Sequence, residues 1–271
     1  MNGHISASHS VPAWLAAAGA VAALVFSGSA SALPVGWTCS GNCGSTVGAD
    51  GVVSVPPVPS GATGFDWIST AGAPHASTGI GGASLGLGSE TNGSLLSSNV
   101  FSATAGQLLE FAFNYVTSDG SGYADYAWAR LIDSTSNAVV GYLVTARTEP
   151  SGSIIPGTGM PSIMAGLTPP SVPIISGGPA WSALGSSSGS CFAAGCGYTG
   201  WVKSDYTIAS AGNYQLQFGV VNWSDTAYDS GLAISGATIG GTPITSVPEP
   251  GSIALIGAAL LGVLALRRRS V

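Results

Sequence analysis

Few residues in this chain are of types and spacings that do chemistry. Between residues 33 and 246 the only histidine is His75, in the Gly-rich loop 71–82, so a Ser-His-Asp triad would depend on it alone. No Gly-x-Ser-x-Gly elbow, phosphate-binding loop or His-Glu-x-x-His sequence occurs, and no residue is assigned a catalytic role. The enzymatic alternative is a secreted hydrolase that uses paired carboxylates on a polysaccharide, drawn from Glu110, Asp125, Asp225 and Asp229. The same acids admit a second chemistry. Asp119 and Asp125 bracket a Gly-bearing turn, and Asp225 and Asp229 bracket a second short turn, so the four can supply oxygen ligands to calcium or simply close Asx-turns. No other cofactor is expected.

Cys39, Cys43, Cys191 and Cys196 are an even count. In an exported chain oxidised pairing is the default, with zinc as the competing use. Three connectivities exist, and the short Gly- and Ala-rich gaps favour Cys39 with Cys43 and Cys191 with Cys196. Bridges closing such short loops pin local turns rather than the whole fold. Six tryptophans follow residue 33, and most alternate with apolar neighbours as core residues do. Trp181 is the exception: it stands in a Pro/Gly/Ser-rich stretch and is the expected exposed platform for a sugar ring.

The elements that must position these residues are read from composition and period. Only 7% of the 271 residues are charged, and Gly and Pro together make about a fifth, which favours turns over long helices. Eleven acids against Arg130, Arg147 and Lys203 between residues 33 and 246 leave that body at −8, which excludes nucleic acid as a partner. Period-two alternation marks Leu109 to Tyr115 and Tyr214 to Asn222 as strands with one apolar face. Further strands are expected at Val52 to Val55, Phe65 to Ser69, Leu95 to Phe101, Tyr123 to Ile132, Val139 to Ala146, Trp201 to Ile208 and Gly231 to Ile239. The class is all-β: an antiparallel β-sandwich of jelly-roll type, with one ectodomain at 33–246.

Two features qualify that reading. Leu109-x-Phe111-x-Phe113 and Leu216-x-Phe218-x-Val220 each follow an Ala-Gly turn, as equivalent strands of facing sheets or as two independent hairpins would. Residues 149–190 hold seven prolines and no strand pattern, yet their Ile and Met pairs predict a partly ordered loop packed over a sheet.

The ends carry the targeting. Ala13 to Phe26 is apolar and leads to Ala30-Ser31-Ala32, so 1–32 reads as a signal peptide with a helical apolar region, cleaved to expose Leu33. At the other end Val247-Pro248-Glu249-Pro250 precedes an uncharged run over 251–266 and then Arg267-Arg268-Arg269. A helix over 251–266 would span about 24 Å of a ~30 Å hydrocarbon core, a marginal anchor suited to a temporary tether, and the arginines hold its end in the cytoplasm.

This three-part ending, 247–271, resembles the PEP-CTERM sorting signal of Gram-negative surface proteins. The resemblance implies passage through the export machinery, transient residence in the inner membrane, cleavage by exosortase, and delivery to the cell surface or extracellular matrix alongside biofilm and exopolysaccharide systems. Asn222 to Ile234 is similar to the closing strands of jelly-roll ectodomains in such proteins, although here the last strand runs into Ser235-Gly236 and lacks their acidic end. The expected role is structural or adhesive, binding exopolysaccharide, with a permanently anchored binding module as a further alternative.

Overall fold

The structure, a computed structural model, describes residues 33–57, 63–75 and 82–244. Ala30, Ala32, the signal helix, the sorting residues and the span at 251–266 lie outside the described residues. No helix among the described residues is long and apolar enough to cross a membrane.

The body is built from two antiparallel sheets. The first contains β1 (Thr38–Ser40), β4 (Glu90–Ser97), β5 (Phe101–Ala103), β7 (Tyr126–Asp133), β8 (Val139–Arg147) and β15 (Gly212–Trp223). The second contains β2 (Asn42–Val47), β3 (Gly64–Ser69), β6 (Leu108–Thr117), β10 (Gly166–Thr168), β12 (Ile175–Ser176), β13 (Gly197–Tyr198), β14 (Val202–Thr207), β16 (Ser230–Ile239) and β17 (Thr242–Pro243). A separate ribbon pairs β9 (Ser153–Ile155) with β11 (Val172–Pro173).

Pairing is nested: β3 with β16, β4 with β15, β6 with β14, and β7 with β8. The eight main strands therefore form one long hairpin rolled over itself, with sheet orders β4-β15-β7-β8 and β3-β16-β6-β14. That is the jelly-roll winding. The two similar segments fall on β6 and β15, strands of opposite sheets, and their Phe111 and Phe218 rings meet edge to face at 5.1 Å in the main core. The independent-hairpin alternative is thereby set aside.

Both outer faces are also partly covered, each over a small cluster of buried apolar residues. On the second sheet Phe65, Val116 and Ala233 pack beneath Val53, Trp181 and Leu184; on the first, Tyr126, Trp128 and Val221 pack beneath the 83–87 segment. Trp128 and Trp181 each pack against a glycine. A Cβ on Gly219, directly opposite Trp128, would sit 2.3 Å from the indole, and one on Gly231 would sit 2.5 Å from Trp181.

Three expectations need correction. Val52 to Val55 is not a strand but a covering loop with a single bridge, Asp50 to Val53. The strand expected at Leu95 to Phe101 is two strands, β4 and β5, and β4 begins at Glu90. Its first half is polar yet buried, with Asn92 and Ser94 hydrogen-bonded to the carbonyls of Thr70 and Ser69. The 149–190 stretch is more ordered than a loop: it holds β9 to β12 and a 3-10 segment at Ser182–Ser187, with Ile154, Ile155 and Leu167 in the main core.

Cys39 and Cys43 are bridged, as are Cys191 and Cys196. The first bridge joins β1 to β2, pinning the corner where the chain passes from one sheet to the other.

Candidate functional site

The acids expected to act together come from two loops, 118–125 between β6 and β7 and 224–229 between β15 and β16. Jelly-roll winding brings these to one end of the sandwich with parts of the 70–89 and 148–201 connections. Hydrogen bonds tie all four: Ser118 N–H and Oγ donate to the Asp229 carbonyl, Thr70 Oγ1 donates to Asp229 Oδ1 at 3.1 Å, and Phe192 N–H donates to the Ser118 carbonyl.

Asp125 is fully buried, accepting from the Trp223 N–H at 2.8 Å and from Ser230 Oγ at 2.6 Å. Burial pushes its carboxyl well above the usual range, and the neighbouring Asp119 pushes it further. Asp119 accepts one bond, from the Gly120 N–H at 2.7 Å, while its Oδ2 is buried without a protein partner. Burial raises its pKa to about 7 against that bond, with Asp225 adding to the rise. Asp225 caps its own turn through the Ala227 N–H, and Asp229 Oδ2 accepts from Ser187 Oγ at 2.8 Å.

The four aspartates thus divide. Asp119, Asp125 and Asp225 are electrostatic neighbours, whereas Asp229 belongs to a Thr70–Ser187 hydroxyl pair. Among the described residues no three acidic, histidine or cysteine side chains are grouped closely enough to hold a metal ion. With most of these oxygens already accepting hydrogen bonds, millimolar calcium in place of a chelator is expected to leave the melting temperature unchanged at pH 7.5. A rise of several degrees would instead assign the unpartnered Asp119 Oδ2 to an ion, by mass action on the folded state.

Of the acids named for hydrolysis, Asp125 and Asp225 are neighbours at the loop end, and Glu110 stands apart from them. Glu110 lies near the opposite end of β6 from Asp125, about seven residues or roughly 23 Å along the strand, well beyond the 5–10 Å that glycoside hydrolysis needs. His75 forms a bridge with Asn92 in a loop above β4.

Trp181 is not exposed. It is 1% accessible, packed edge-on against Trp67 at 6.4 Å, and offers no face to a ligand. The proline-rich context suggested surface, but the 3-10 segment that follows it folds back onto β3 and β16. Two other aromatic groups are accessible instead. Tyr123, Phe192 and Tyr228 meet at the loop end, with rings 5.1 to 5.2 Å apart and Tyr228 in the left-handed region at φ 55°. Trp201, half-buried, stands on the outer face of the second sheet beside Lys203. Trp201 and Lys203 flank the core-facing Val202, so alternation with strand faces assigned would have placed both outward. The loop trio comes from three separate loops and has no local signature.

The PEP-CTERM protein-sorting motif family model matches residues 246–269. The chain carries this signal, and with it the properties of an exported protein recognised by exosortase and sorted to the cell surface. No curated protein matches the chain.

Proposed function

We propose that this is a surface protein whose sandwich is freed from the inner membrane of a Gram-negative cell by exosortase and then serves a structural or adhesive role in the matrix, binding exopolysaccharide. The sorting motif at 246–269, beginning two residues after the last described one, carries the reading. The attachment geometry supports it. Trp37 Nε1 donates to the Ile244 carbonyl at 2.8 Å across 207 positions, so the residues next to the leader and those next to the sorting signal leave the body together. Ile239, shortly before Ile244, pairs with Leu109 at the start of β6, while the 118–125 loop follows its end. After the turn at Gly240-Gly241 the chain runs back beside Ala237, so both points of attachment lie in the half of the sandwich away from the 118–125 loop.

Mass spectrometry of the protein recovered from outside the cell is the test. Peptides ending before residue 251 are expected, whereas intact peptides running through 251–266 into Arg267 would replace release with a permanent anchor.

A further inference from the structure

The outer face of the second sheet is covered on one half by the Trp181 segment. The other half is an open trough of about 500 Å³, a size ordinary for small-molecule sites. Trp201 stands at the boundary, Ala112 of β6 forms the floor, and Lys203, Glu110, Thr168 and Thr238 line it. We propose that this trough binds a neutral glycan chain; the proposal rests on the polysaccharide-binding reading above and gives it a place and a ligand class.

Three observations carry it. The first is that Trp201 is held rather than free: Nε1 donates to the Ser54 carbonyl at 2.9 Å, and Phe65 packs edge-on to the ring at 5.8 Å. A fixed, half-buried indole presents π-density to the weakly positive axial C–H groups of a pyranose and loses little entropy on binding. The second is the pairing of Lys203 with Glu110 inside the trough. The lysine is about half exposed, and a pair so placed contributes little to stability. Side by side, however, an ammonium donor and a carboxylate acceptor match vicinal sugar hydroxyls, which donate and accept together, and Thr168 and Thr238 add hydroxyls of the same kind.

The third observation selects the class. Every basic side chain between residues 33 and 244 is already engaged. Arg130 lies 4.5 Å over Trp128 and donates to Gln217, Arg147 lies 4.6 Å over Trp223 and donates to the Ala124 carbonyl, and Lys203 faces Glu110. An acidic polymer would meet a body of formal charge −8 between residues 33 and 246 and no uncommitted Arg or Lys. A neutral hexose or N-acetylhexosamine chain meets neither obstacle.

The exported protein, purified whole, is titrated with maltohexaose, cellohexaose, chitohexaose and an oligogalacturonate, followed by calorimetry and tryptophan fluorescence. Binding of at least one neutral oligomer and none of the galacturonate is expected. Trp201→Ala should weaken the neutral binding about fivefold, the value of one aromatic contact. Lys203→Met, which leaves the indole in place and tests the trough should Trp201→Ala disturb packing on Phe65, should weaken it severalfold at an unchanged melting temperature. Neutral binding unaffected by Lys203→Met and by a folded Trp201→Ala would overturn the trough and leave the adhesive reading standing. Binding of the galacturonate alone would overturn the neutral class, and no binding of any oligomer would remove the polysaccharide reading and the trough together.

Discussion

Trp181→Ala is expected to destabilise the protein by about 3–5 kcal/mol, the usual cost of emptying a buried tryptophan site. The indole is 1% accessible, lies over Gly231, and roofs the second cluster of Val53, Phe65, Val116 and Leu184. Removing it opens a cavity between the 3-10 segment and β16 that the backbone of two elements cannot collapse to fill. For a domain of this size the loss corresponds to a melting temperature lower by roughly 10 °C or more. Trp181→Phe is expected to cost far less, because it keeps most of the apolar volume and deletes an indole N–H that is buried without a partner. Thermal or urea unfolding measures both. A Trp181→Ala protein within about 1 kcal/mol of the parent would show that the covering segment is energetically separate from the sheet.

The second large effect is in pH. Burial, above all, raises the carboxyls of Asp119 to about 7 and Asp66 to about 6, and raises Asp125 well above its ordinary value. Each such group binds more protons folded than unfolded across the interval between its two pKa values. Its contribution is therefore fully present below about pH 4 and is lost as pH rises through the folded-state value. Glu90 and Asp133, both lowered, act in the opposite sense at more acid pH, so the maximum should fall near pH 4 to 5.

The melting temperature is expected to rise by roughly 5 °C or more on acidification from pH 7.5 to 4.5. Asp125→Asn should flatten this slope, since an amide there can accept from the Trp223 N–H and donate to Ser230 Oγ without burying a charge. A melting temperature that falls steadily from pH 7.5 to 4.5 would show that the cluster is ionised and compensated in the folded state.

Much of this architecture was legible in local pattern. The alternation of Leu109 to Tyr115 and of Tyr214 to Asn222 identifies β6 and β15 because one face of each must be apolar, whatever lies opposite. Short, Gly- and Ala-bearing gaps between cysteines favour both bridges, because the near partner needs the least chain ordering to reach. The sorting signal is legible for a different reason: it is read by another protein as an extended string of residue types, so its information is linear and the folded body adds nothing to it.

What only tertiary structure decided is where sides and ends meet. Polar strand residues such as Asn92 and Ser94 look like loop until Thr70 and Ser69 supply their acceptors. Trp181 looks exposed among prolines until Gly231, fifty positions away, leaves space for its ring. The four aspartates look like one set until winding gives Asp229 to Thr70 and Ser187 and buries Asp125 beside Asp119. Trp201 and Lys203 look like ordinary strand residues until the cover over their sheet stops short of them. In each case the deciding partner is remote in sequence. Burial and hydrogen bonding are set by pairs, so one strand's residue types determine its period but not which neighbour its side chains will meet.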